Sequence, residues 1–470
     1  MDQTLYYKIA EQVESQIQEG LFKVGSKIPS VRKASSMMDV SMATVLQAYR
    51  LLEDRGVLKA QPQKGYFVQA LPPTPDAKTV SADITSQQQP AWMQTMASAT
   101  NNPELLQLAG ATPHSQCLPT RQLQRAVGRV MRLEPEACSH HFYDQGLPAL
   151  RRQIAIRMLA TGCQLTPDDI FITHGCQNAI LLALQAVTQA GDKVVIESPT
   201  YDGLQHIVQA LNLTAFELPC TSQGLDLDAL ATLCQQHDIK ACVVTPEHQN
   251  PTGASMPLAQ RQRLLALAQQ QSFQVIEDDV FGELGHPAHT RLPALKALDT
   301  AGCVSYCSSF SKTIAPAFRV GWVISPADQI AAIQAYAYAH SFAVAALPQH
   351  AIANFLANDS YERHLRKTRA FYADNLAQFS AAIRRYFPST TELSSPQGGY
   401  LIWITLPCNI NALEFFNRAL EWAINVLPGC ALSPSTQPNH TLRINCSTPW
   451  SAATEQAIKQ LGQLCYEMLD

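Results

Sequence analysis

From about residue 95 onward, short apolar segments alternate with longer amphipathic ones, and this alternation restricts the folds that the chain can adopt. The segment 258–271 has helical periodicity and lies between two of the apolar segments. Strands that alternate with helices build parallel sheets with crossover helices. The candidate strands are 170–173, 193–196, 241–244, 274–276 and 320–324. We therefore predict an α/β fold for residues 95–470, with a smaller α+β domain at about 345–470.

The first 69 residues follow a different pattern, which predicts three helices and a hairpin. Apolar residues recur every four positions from Ile9 to Ile17, and the first helix ends near Gly20. Ser30 opens a second helix, and Ser41 is a plausible N-cap for a third. The inner face of the third helix carries Val45, Ala48, Tyr49 and Leu52. Residues 70–94 are rich in proline and glutamine and show no period, so we predict a linker there.

Charge, cysteine content and hydropathy narrow the possible functions. The chain has 470 residues and a net charge of −4, so any contact with nucleic acid must be local. Its 13 cysteines form no C-x-x-C pair and no Cys/His cluster, so we expect reduced thiols and no metal site. The amino terminus lacks a signal-peptide pattern, and no stretch of about twenty apolar residues occurs. We therefore predict a cytoplasmic protein that does not contact the membrane.

Polar side chains on the third predicted helix are suited to reading DNA. Ser41, Thr44 and Gln47 are three residues apart and lie opposite the apolar face, as in a recognition helix of the major groove. Residues 1–70 contain nine lysines and arginines against seven aspartates and glutamates. One copy should therefore bind DNA weakly, and a dimer is needed. The candidate DNA-binding residues are Ser30, Arg32, Ser41, Thr44, Gln47, Lys64 and Gly65.

Several spaced segments of this module resemble the winged helix-turn-helix of GntR-type regulators. The matching segments are 25–32, 40–41, 44–45, 48–49, 52–53 and 65–68. Met42 stands where many relatives carry arginine, so the phosphate or guanine contact of that arginine is not carried over. The resemblance implies that residues 1–69 bind double-stranded DNA.

The segment 309–319 places a lysine where it can act beside a phosphate. Lys312 follows two serines, Ser309 and Ser311, and precedes Arg319 by seven positions. A lysine amine forms Schiff bases with carbonyl compounds, and pyridoxal phosphate carries both an aldehyde and a phosphate. The segment therefore indicates a site for this cofactor.

Five other segments carry groups that such a cofactor needs, although each also has a purely structural explanation. Gly175 follows a strand and opens a helix, whose backbone amides can hold an anion. Tyr201 can stack on a flat ring, and Asn250 offers a side-chain amide in a turn. Asp278 ends a strand, where a carboxylate can pair with a protonated pyridine nitrogen. Arg443 can bind a carboxylate with both prongs of its guanidinium.

The order and spacing of these six motifs resemble the fold-type I pyridoxal-phosphate aminotransferases over about residues 95–470. The resemblance implies that Lys312 forms the Schiff base, that Asp278 pairs with the pyridine nitrogen and that Asn250 bonds the phenolic oxygen. It also implies that Tyr201 stacks on the ring and that Arg443 takes the carboxylate of a substrate or effector. The implied phosphate-binding residues are Gly175, Cys176, Gln177, Ser309, Ser311 and Arg319.

Two positions depart from the pattern of that family. Relatives carry a tyrosine two or three residues after the pyridine-binding aspartate, whereas this chain has Val280 and Phe281. Without that hydroxyl, turnover is expected to be slowed. Relatives also carry a tyrosine that reaches the phosphate of the neighbouring subunit. Here His141 has the matching spacing and Tyr143 the matching residue type, so this assignment stays open.

A GntR-type winged helix joined to an aminotransferase-like domain resembles the MocR-type subgroup of regulators. The resemblance implies a homodimeric transcription factor that binds pyridoxal phosphate and senses an amino compound, or the cofactor itself, through Lys312. The alternative is an active aminotransferase, which converts an amino acid into a 2-oxo acid, with an attached DNA-binding domain. A regulator that keeps the fold without the cofactor is a third hypothesis.

Overall fold

The computed structural model describes residues 5–69, 91–139, 144–358, 361–433 and 439–469. Two compact units follow one another along the chain, and the division falls between Gln88 and Gln89. Most of the predicted linker lies outside the described residues, and its last four residues, 91–94, are helical. His141 and Tyr143 also lie outside the described residues. No helix in the described ranges is long and apolar enough to cross a membrane.

The first unit has the three helices and the hairpin that its sequence predicts. Its elements are α1 (Leu5–Gln18), α2 (Val31–Met38), α3 (Met42–Asp54), β1 (Leu58–Gln61) and β2 (Gly65–Val68). The predicted inner face of α3 is fully buried and packs against Ile9 and Val13 of α1. Strands β1 and β2 pair antiparallel, with Leu58 opposite Val68. A contiguous apolar core therefore holds this unit together.

The second unit alternates strands and helices along most of its length. Its strands are β3 (Leu106–Gln107), β4 (Phe171–Thr173), β5 (Lys193–Ser198), β6 (Thr214–Thr221), β7 (Gly224–Leu225), β8 (Ile239–Val244), β9 (Gln274–Asp278), β10 (Val304–Ser309), β11 (Gly321–Ile324), β12 (Glu392–Leu393), β13 (Leu401–Thr405), β14 (Ile424–Asn425), β15 (Leu427–Pro428) and β16 (Thr441–Asn445). Its helices are α4 (Ala91–Thr100), α5 (Thr120–Leu133), α6 (Pro148–Met158), α7 (Cys176–Val187), α8 (Asp202–Ala210), α9 (Leu227–Gln236), α10 (Leu258–Gln271), α11 (Leu295–Leu298), α12 (Ala327–Ser341), α13 (Ala346–Asn358), α14 (Tyr361–Tyr386), α15 (Ala412–Glu421) and α16 (Ala452–Glu467).

The central sheet of this unit is predominantly parallel. Among the described residues it has eight strands in the order β4-β11-β10-β9-β8-β5-β6-β7, and only β7 and β11 run against the others. Helices cover both faces: Ile276 packs with Ala183 of α7, whereas its neighbour Val275 packs with Leu264 of α10. Burial on both faces explains why the strands appear in the sequence as continuous apolar runs. The α/β prediction is confirmed.

A smaller antiparallel sheet follows near the carboxyl terminus, with the strand order β12-β13-β16-β15. The long helix α14 links its core to that of the central sheet, because Leu365 belongs to the core under the central sheet and Phe379 to the core under the smaller one. Helix α13 packs against α5 and α6 of the central-sheet part. The domain limit at about residue 345 stays a prediction.

Strand β10 is not among the strands predicted from the sequence, and this omission matters most because β10 positions Lys312. It lies between β9 and β11, and its Cys307 pairs with Asp278 in the parallel ladder. Three of its six residues are serines, so it lacks the apolar run of its neighbours, yet all six are buried. Two of these serines bond internally: Ser305 Oγ lies 2.7 Å from Ser325 Oγ, and Ser308 Oγ donates to the Asp279 carbonyl at 2.8 Å. Because β10 lies beside β9 in the sheet, Lys312, which follows β10 in the chain, lies near the end of β9.

Candidate cofactor and DNA-binding sites

The carboxyl ends of parallel strands meet at one edge of the central sheet, and a cavity opens there. Ligand sites of α/β sheets lie at this edge. The predicted cofactor residues that line the cavity are Cys176, Gln177, Tyr201, Asn250, Asp278, Ser309, Ser311, Lys312 and Arg319. Segments that are far apart in the sequence therefore meet at one place.

Lys312 points its amine into this cavity. Its Nζ donates a hydrogen bond to the Ala111 carbonyl at 2.7 Å and lies 5.6 Å from the ring centre of Phe281. Desolvation, with a further contribution from the positive charge of Arg443, lowers the pKa of Lys312 to about 8, against the opposing effect of Asp278. A lysine with this pKa is a better nucleophile at neutral pH than an exposed one.

Asp278 ends β9 on the floor of the cavity and is 8 % exposed. One carboxylate oxygen accepts from the Cys176 thiol at 3.1 Å and from the Val280 amide at 3.2 Å. Burial raises the pKa of Asp278 to about 6. A buried carboxylate of this kind is suited to pair with a protonated ring nitrogen. The positive charge of that nitrogen would compensate for the hydration that the carboxylate loses on folding. Cys176, a predicted phosphate ligand, thus bonds Asp278 with its side chain. Only its backbone amide remains at the amino end of α7.

The amino terminus of α7 and Arg319 together line a cradle at the place where the sequence predicts the phosphate. Gly175 precedes the helix with a φ of 87°, and no side chain of the described residues caps the helix there. Arg319 reaches over from the segment after Lys312, with Nη1 3.4 Å from Ser311 Oγ and Nη2 3.1 Å from the His174 carbonyl. Free helix amides and a guanidinium are the groups that bind phosphate in proteins.

We predict that Gly175→Ala lowers affinity for pyridoxal phosphate by about 10- to 100-fold, because a charge-assisted hydrogen bond contributes about 1.5–3 kcal/mol. A Cβ at Gly175 would lie 2.6 Å from Arg319 Nη2, so the guanidinium must shift from its place in the cradle. Gly191→Ala is the matched control, since Gly191 has a similar φ of 91° with nothing within 4 Å of a Cβ. Fluorescence titration measures both affinities. Equal losses in the two variants would show that backbone strain alone is responsible.

Arg443 lies behind the cavity wall in β16 and is 4 % exposed. Its Nη1 donates to Asn250 Oδ1 at 2.9 Å and its Nη2 to the Ala109 carbonyl at 2.7 Å, whereas its buried Nε has no hydrogen-bond partner in the part of the chain that the structure describes. Desolvation lowers the pKa of Arg443 to about 10. Tyr201 stands at the other side of the cavity, where its hydroxyl donates to Gln177 Oε1 at 3.0 Å.

Sequence reasoning did not foresee the role of Tyr400. Val280 and Phe281 bring no hydroxyl into the cavity, but the Tyr400 hydroxyl donates at 2.7 Å to the same Ala111 carbonyl that accepts from Lys312. The only sequence signal was the Gly-Gly pair directly before Tyr400, which precedes a strand and lets the backbone approach closely. Thr245 and Ile180, which also line the cavity, had no motif to reveal them.

In the DNA-binding candidate, the predicted serines cap helices. Ser30 Oγ accepts from the Lys33 amide at 3.3 Å at the start of α2, and Ser41 Oγ accepts from the Thr44 amide at 3.1 Å at the start of α3. The Ser41 and Thr44 hydroxyls are also 2.7 Å apart. The remaining candidates are Arg32, Gln47 and Lys64, which are exposed, and Gly65, which is half-buried in the hairpin. The geometry brings the helix starts to the surface, but it leaves the DNA contacts themselves as predictions.

Known protein families match both units. Residues 5–68 match the family described as bacterial regulatory proteins, gntR family, and residues 116–461 match aminotransferase class I and II. The chain is 35 % identical to the HTH-type transcriptional regulator YjiR of Escherichia coli (strain K12), over 99 % of this chain and all of that protein. It is 33 % identical to the HTH-type transcriptional regulator YdcR of the same organism, over 99 % of each chain.

Solved structures of aminotransferases resemble the second unit. A kynurenine aminotransferase of Pyrococcus horikoshii, in complex with PMP, covers 82 % of this chain and 96 % of its own, with a TM-score of 0.76 and 25 % identity. LysN, an α-aminoadipate aminotransferase of Thermus thermophilus, covers 81 % of this chain and 96 % of its own, with a TM-score of 0.75 and 25 % identity. The chain therefore belongs to the MocR-type family of HTH-type transcriptional regulators, in which a gntR-family domain is joined to an aminotransferase class I and II domain that binds pyridoxal phosphate.

Proposed function

We propose that the large domain senses a small amino compound with a carboxylate group and that the Lys312 cavity binds it. Arg443 is the observation that supports this most. It is buried, both of its bonded acceptors are neutral, and no residue in the described ranges bonds its Nε. A buried guanidinium in these surroundings favours an anionic ligand, because a carboxylate supplies both the missing charge and a bidentate acceptor.

The cofactor and the cavity residues divide the chemistry between them. Pyridoxal phosphate, when bound, supplies an aldehyde that can exchange the Lys312 amine for the amine of the ligand. Asp278 is proposed to hold the ring nitrogen, and the amino end of α7 with Arg319 to hold the phosphate. The Ala111 carbonyl keeps the Lys312 amine at the cavity wall, since it accepts its hydrogen bond at 2.7 Å.

A ligand can change DNA binding only if it prefers one arrangement of the protein over another. We propose that residues 1–69 read double-stranded DNA, that 70–94 are the linker and that 95–470 bind cofactor and effector. The weak positive charge of the first unit supports a homodimer, because two copies double the number of phosphate contacts. A regulator of this kind is proposed to work in the cytoplasm, where bacterial DNA is found.

Transamination is the second candidate function. Lys312, Asp278 and Asn250 line a single cavity, as expected for a working enzyme, and Tyr400 brings a hydroxyl to the acceptor of the lysine amine. The absence of a hydroxyl at Val280 and Phe281 is the reason to place sensing before turnover.

Cofactor uptake should depend on pH with a midpoint near 8. Only the neutral amine of Lys312 can add to an aldehyde, and a pKa of about 8 leaves roughly a tenth of it neutral at pH 7. Because the neutral fraction rises with pH, we expect the rate of uptake to increase about tenfold from pH 7 to pH 9 and then to level off. Stopped-flow absorbance measures this rate. A rate that keeps rising beyond pH 10 would mean that Lys312 titrates like an exposed lysine.

Arg32→Ala should weaken DNA binding by a similar factor for all sequences, because a phosphate contact carries no base information. Arg32 is exposed in the first turn of α2. We expect the slope of log affinity against log salt to fall by about 1. Lys8→Ala, an equal loss of charge from exposed Lys8 of α1, is the control. Ser41→Ala is unsuitable, because loss of the helix cap alone costs about 1 kcal/mol.

One titration separates the two candidate functions. Amino acids, amines and 2-oxo acids are added to the cofactor-loaded full chain while the visible spectrum and keto-acid production are recorded. A regulator should show a spectral shift with single-turnover amounts of product at most. Continuous production of keto acid at ordinary enzyme rates, without any change in DNA affinity, would favour transamination. No spectral change with any compound would contradict sensing at Lys312.

A further inference from the structure

A second cluster of titratable groups lies outside the residues that line the cofactor cavity. Glu247, His248 and His289 bring one carboxylate oxygen and two imidazole nitrogens within 4.8 Å of one another. His289 Nε2 is 3.2 Å from Glu247 Oε2, and His248 Nε2 is 3.9 Å from the same oxygen. Ligands of a tetrahedral metal ion with bonds of about 2.0–2.1 Å are about 3.3 Å apart, so the shorter of these two spacings matches that of a metal centre and the longer one would have to contract when an ion binds.

The other polar atoms of the three side chains are held by neighbours. His248 Nδ1 is 3.3 Å from Ser255 Oγ, and His289 Nδ1 is 3.4 Å from Gln397 Oε1. Glu247 Oε1 accepts from the buried guanidinium of Arg261 at 2.6 Å. Metal-binding histidines nearly always have such a partner on the second ring nitrogen, which fixes the orientation of the first.

His248 gives an independent indication of a ligand. It is 3 % exposed, and its Nε2, which faces the other two groups, has no hydrogen-bond partner among the described residues. Buried polar atoms are nearly always paired, so an unpaired ring nitrogen directed at a carboxylate and a second imidazole needs an explanation. His286 turns its Nε2 to the Gly399 carbonyl at 3.1 Å and is not part of the set.

We propose that Glu247, His248 and His289 bind a divalent transition-metal ion of the zinc type. Two imidazoles and one carboxylate are a known three-residue ligand set for zinc, and imidazole favours zinc, copper or nickel over magnesium and calcium. The amine and aldehyde chemistry at Lys312 does not use these groups.

Such an ion would brace the turn that carries Asn250, which lines the cofactor cavity. Glu247 and His248 begin the turn that carries Asn250, and His248 packs against Gly398, where a Cβ would come 2.3 Å from its ring. Gly398 lies two residues before Tyr400, whose hydroxyl bonds the Ala111 carbonyl. Metal binding would therefore hold the Asn250 turn and the Tyr400 segment together.

The test is zinc binding by the full chain after dialysis against a chelator. We expect one equivalent of Zn²⁺ per chain in competition with a chromophoric chelator, together with a rise in melting temperature. The affinity should fall by about 100-fold or more in His289→Ala, and by about tenfold in Gln397→Ala, which removes only the outer partner of His289. His206→Ala, at an exposed histidine of α8, should bind like the wild type.

Cobalt(II) serves as a probe, because its spectrum distinguishes the proposed site from metal binding by cysteines. The Co²⁺-loaded protein should show visible bands of a tetrahedral nitrogen and oxygen site without a thiolate charge-transfer band. Far-UV circular dichroism and the visible cofactor band check that His289→Ala is folded; His289→Gln serves in its place if it is not. The proposal is overturned if the wild type takes up no stoichiometric zinc, or if both His289 variants bind it as tightly as the wild type.

Discussion

Lys312→Ala is expected to abolish the covalently attached cofactor and its visible absorbance band. Lys312 is the lysine among the residues that line the cavity, and its amine is the group positioned there by the Ala111 carbonyl. Without it, cofactor is held only by the non-covalent groups around Asp278, Gly175 and Arg319. Reversible binding should persist, because these groups are unchanged, but the complex should not survive gel filtration or trapping with borohydride.

The matched control for this experiment is Lys459→Ala, which removes an exposed lysine of α16. Its spectrum and its mass after borohydride reduction should equal those of the wild type. A visible band that survives in Lys312→Ala and can be trapped on another residue would contradict the assignment. So would a wild type that shows no band after incubation with pyridoxal phosphate.

Arg443→Gln is expected to lower affinity for amino acids by about 100-fold or more, since an unpaired buried charge costs about 3–5 kcal/mol. The amide keeps a donor for Asn250 or the Ala109 carbonyl, which the arginine bonds at 2.9 Å and 2.7 Å, but it loses the charge and the bidentate fork. Amines without a carboxylate should bind wild type and variant almost equally. That comparison isolates the carboxylate contact from any general damage to the cavity.

The readout is the spectral shift of the bound cofactor, measured for an amino acid and for the corresponding amine. Arg443→Lys keeps the positive charge without the planar fork and should fall between wild type and Arg443→Gln. Equal losses for the amine and the amino acid would show that Arg443 only supports the wall of the cavity. Unchanged affinity for both would remove it from the site.

Much of the fold could be predicted from the sequence, because the spacing of apolar residues shows which face of an element is buried. The helix predicted at 258–271 is α10 (Leu258–Gln271), and the predicted inner face of α3 is buried. Strand β10 escaped, because its buried serines satisfy their hydroxyls internally and leave no apolar run in the sequence. Hydropathy therefore fails where buried polar groups pair with each other.

The site was predictable only where a motif carries its own chemistry. Lys312, Asp278 and Asn250 each belong to such a motif, and the structure brings all three to one cavity. Tyr400 and the Ala111 carbonyl belong to no such motif, because the hydrogen bond between them joins positions 289 residues apart in the sequence. The cluster of Glu247, His248 and His289 is hidden for the same reason, and the expectation of no metal site rested only on cysteine spacing and on the lack of a Cys/His cluster.

The most direct measurement is the DNA affinity of the cofactor-loaded full chain, by fluorescence anisotropy, with and without a compound that shifts the cofactor spectrum. The DNA is a fragment that the same protein selects from a random pool. A change in affinity of about 5- to 150-fold, the usual range of coupling between two sites, is predicted for the wild type and should vanish in Lys312→Ala. Equal DNA affinity with and without the compound, at saturation of the spectral change, would contradict a sensor at Lys312.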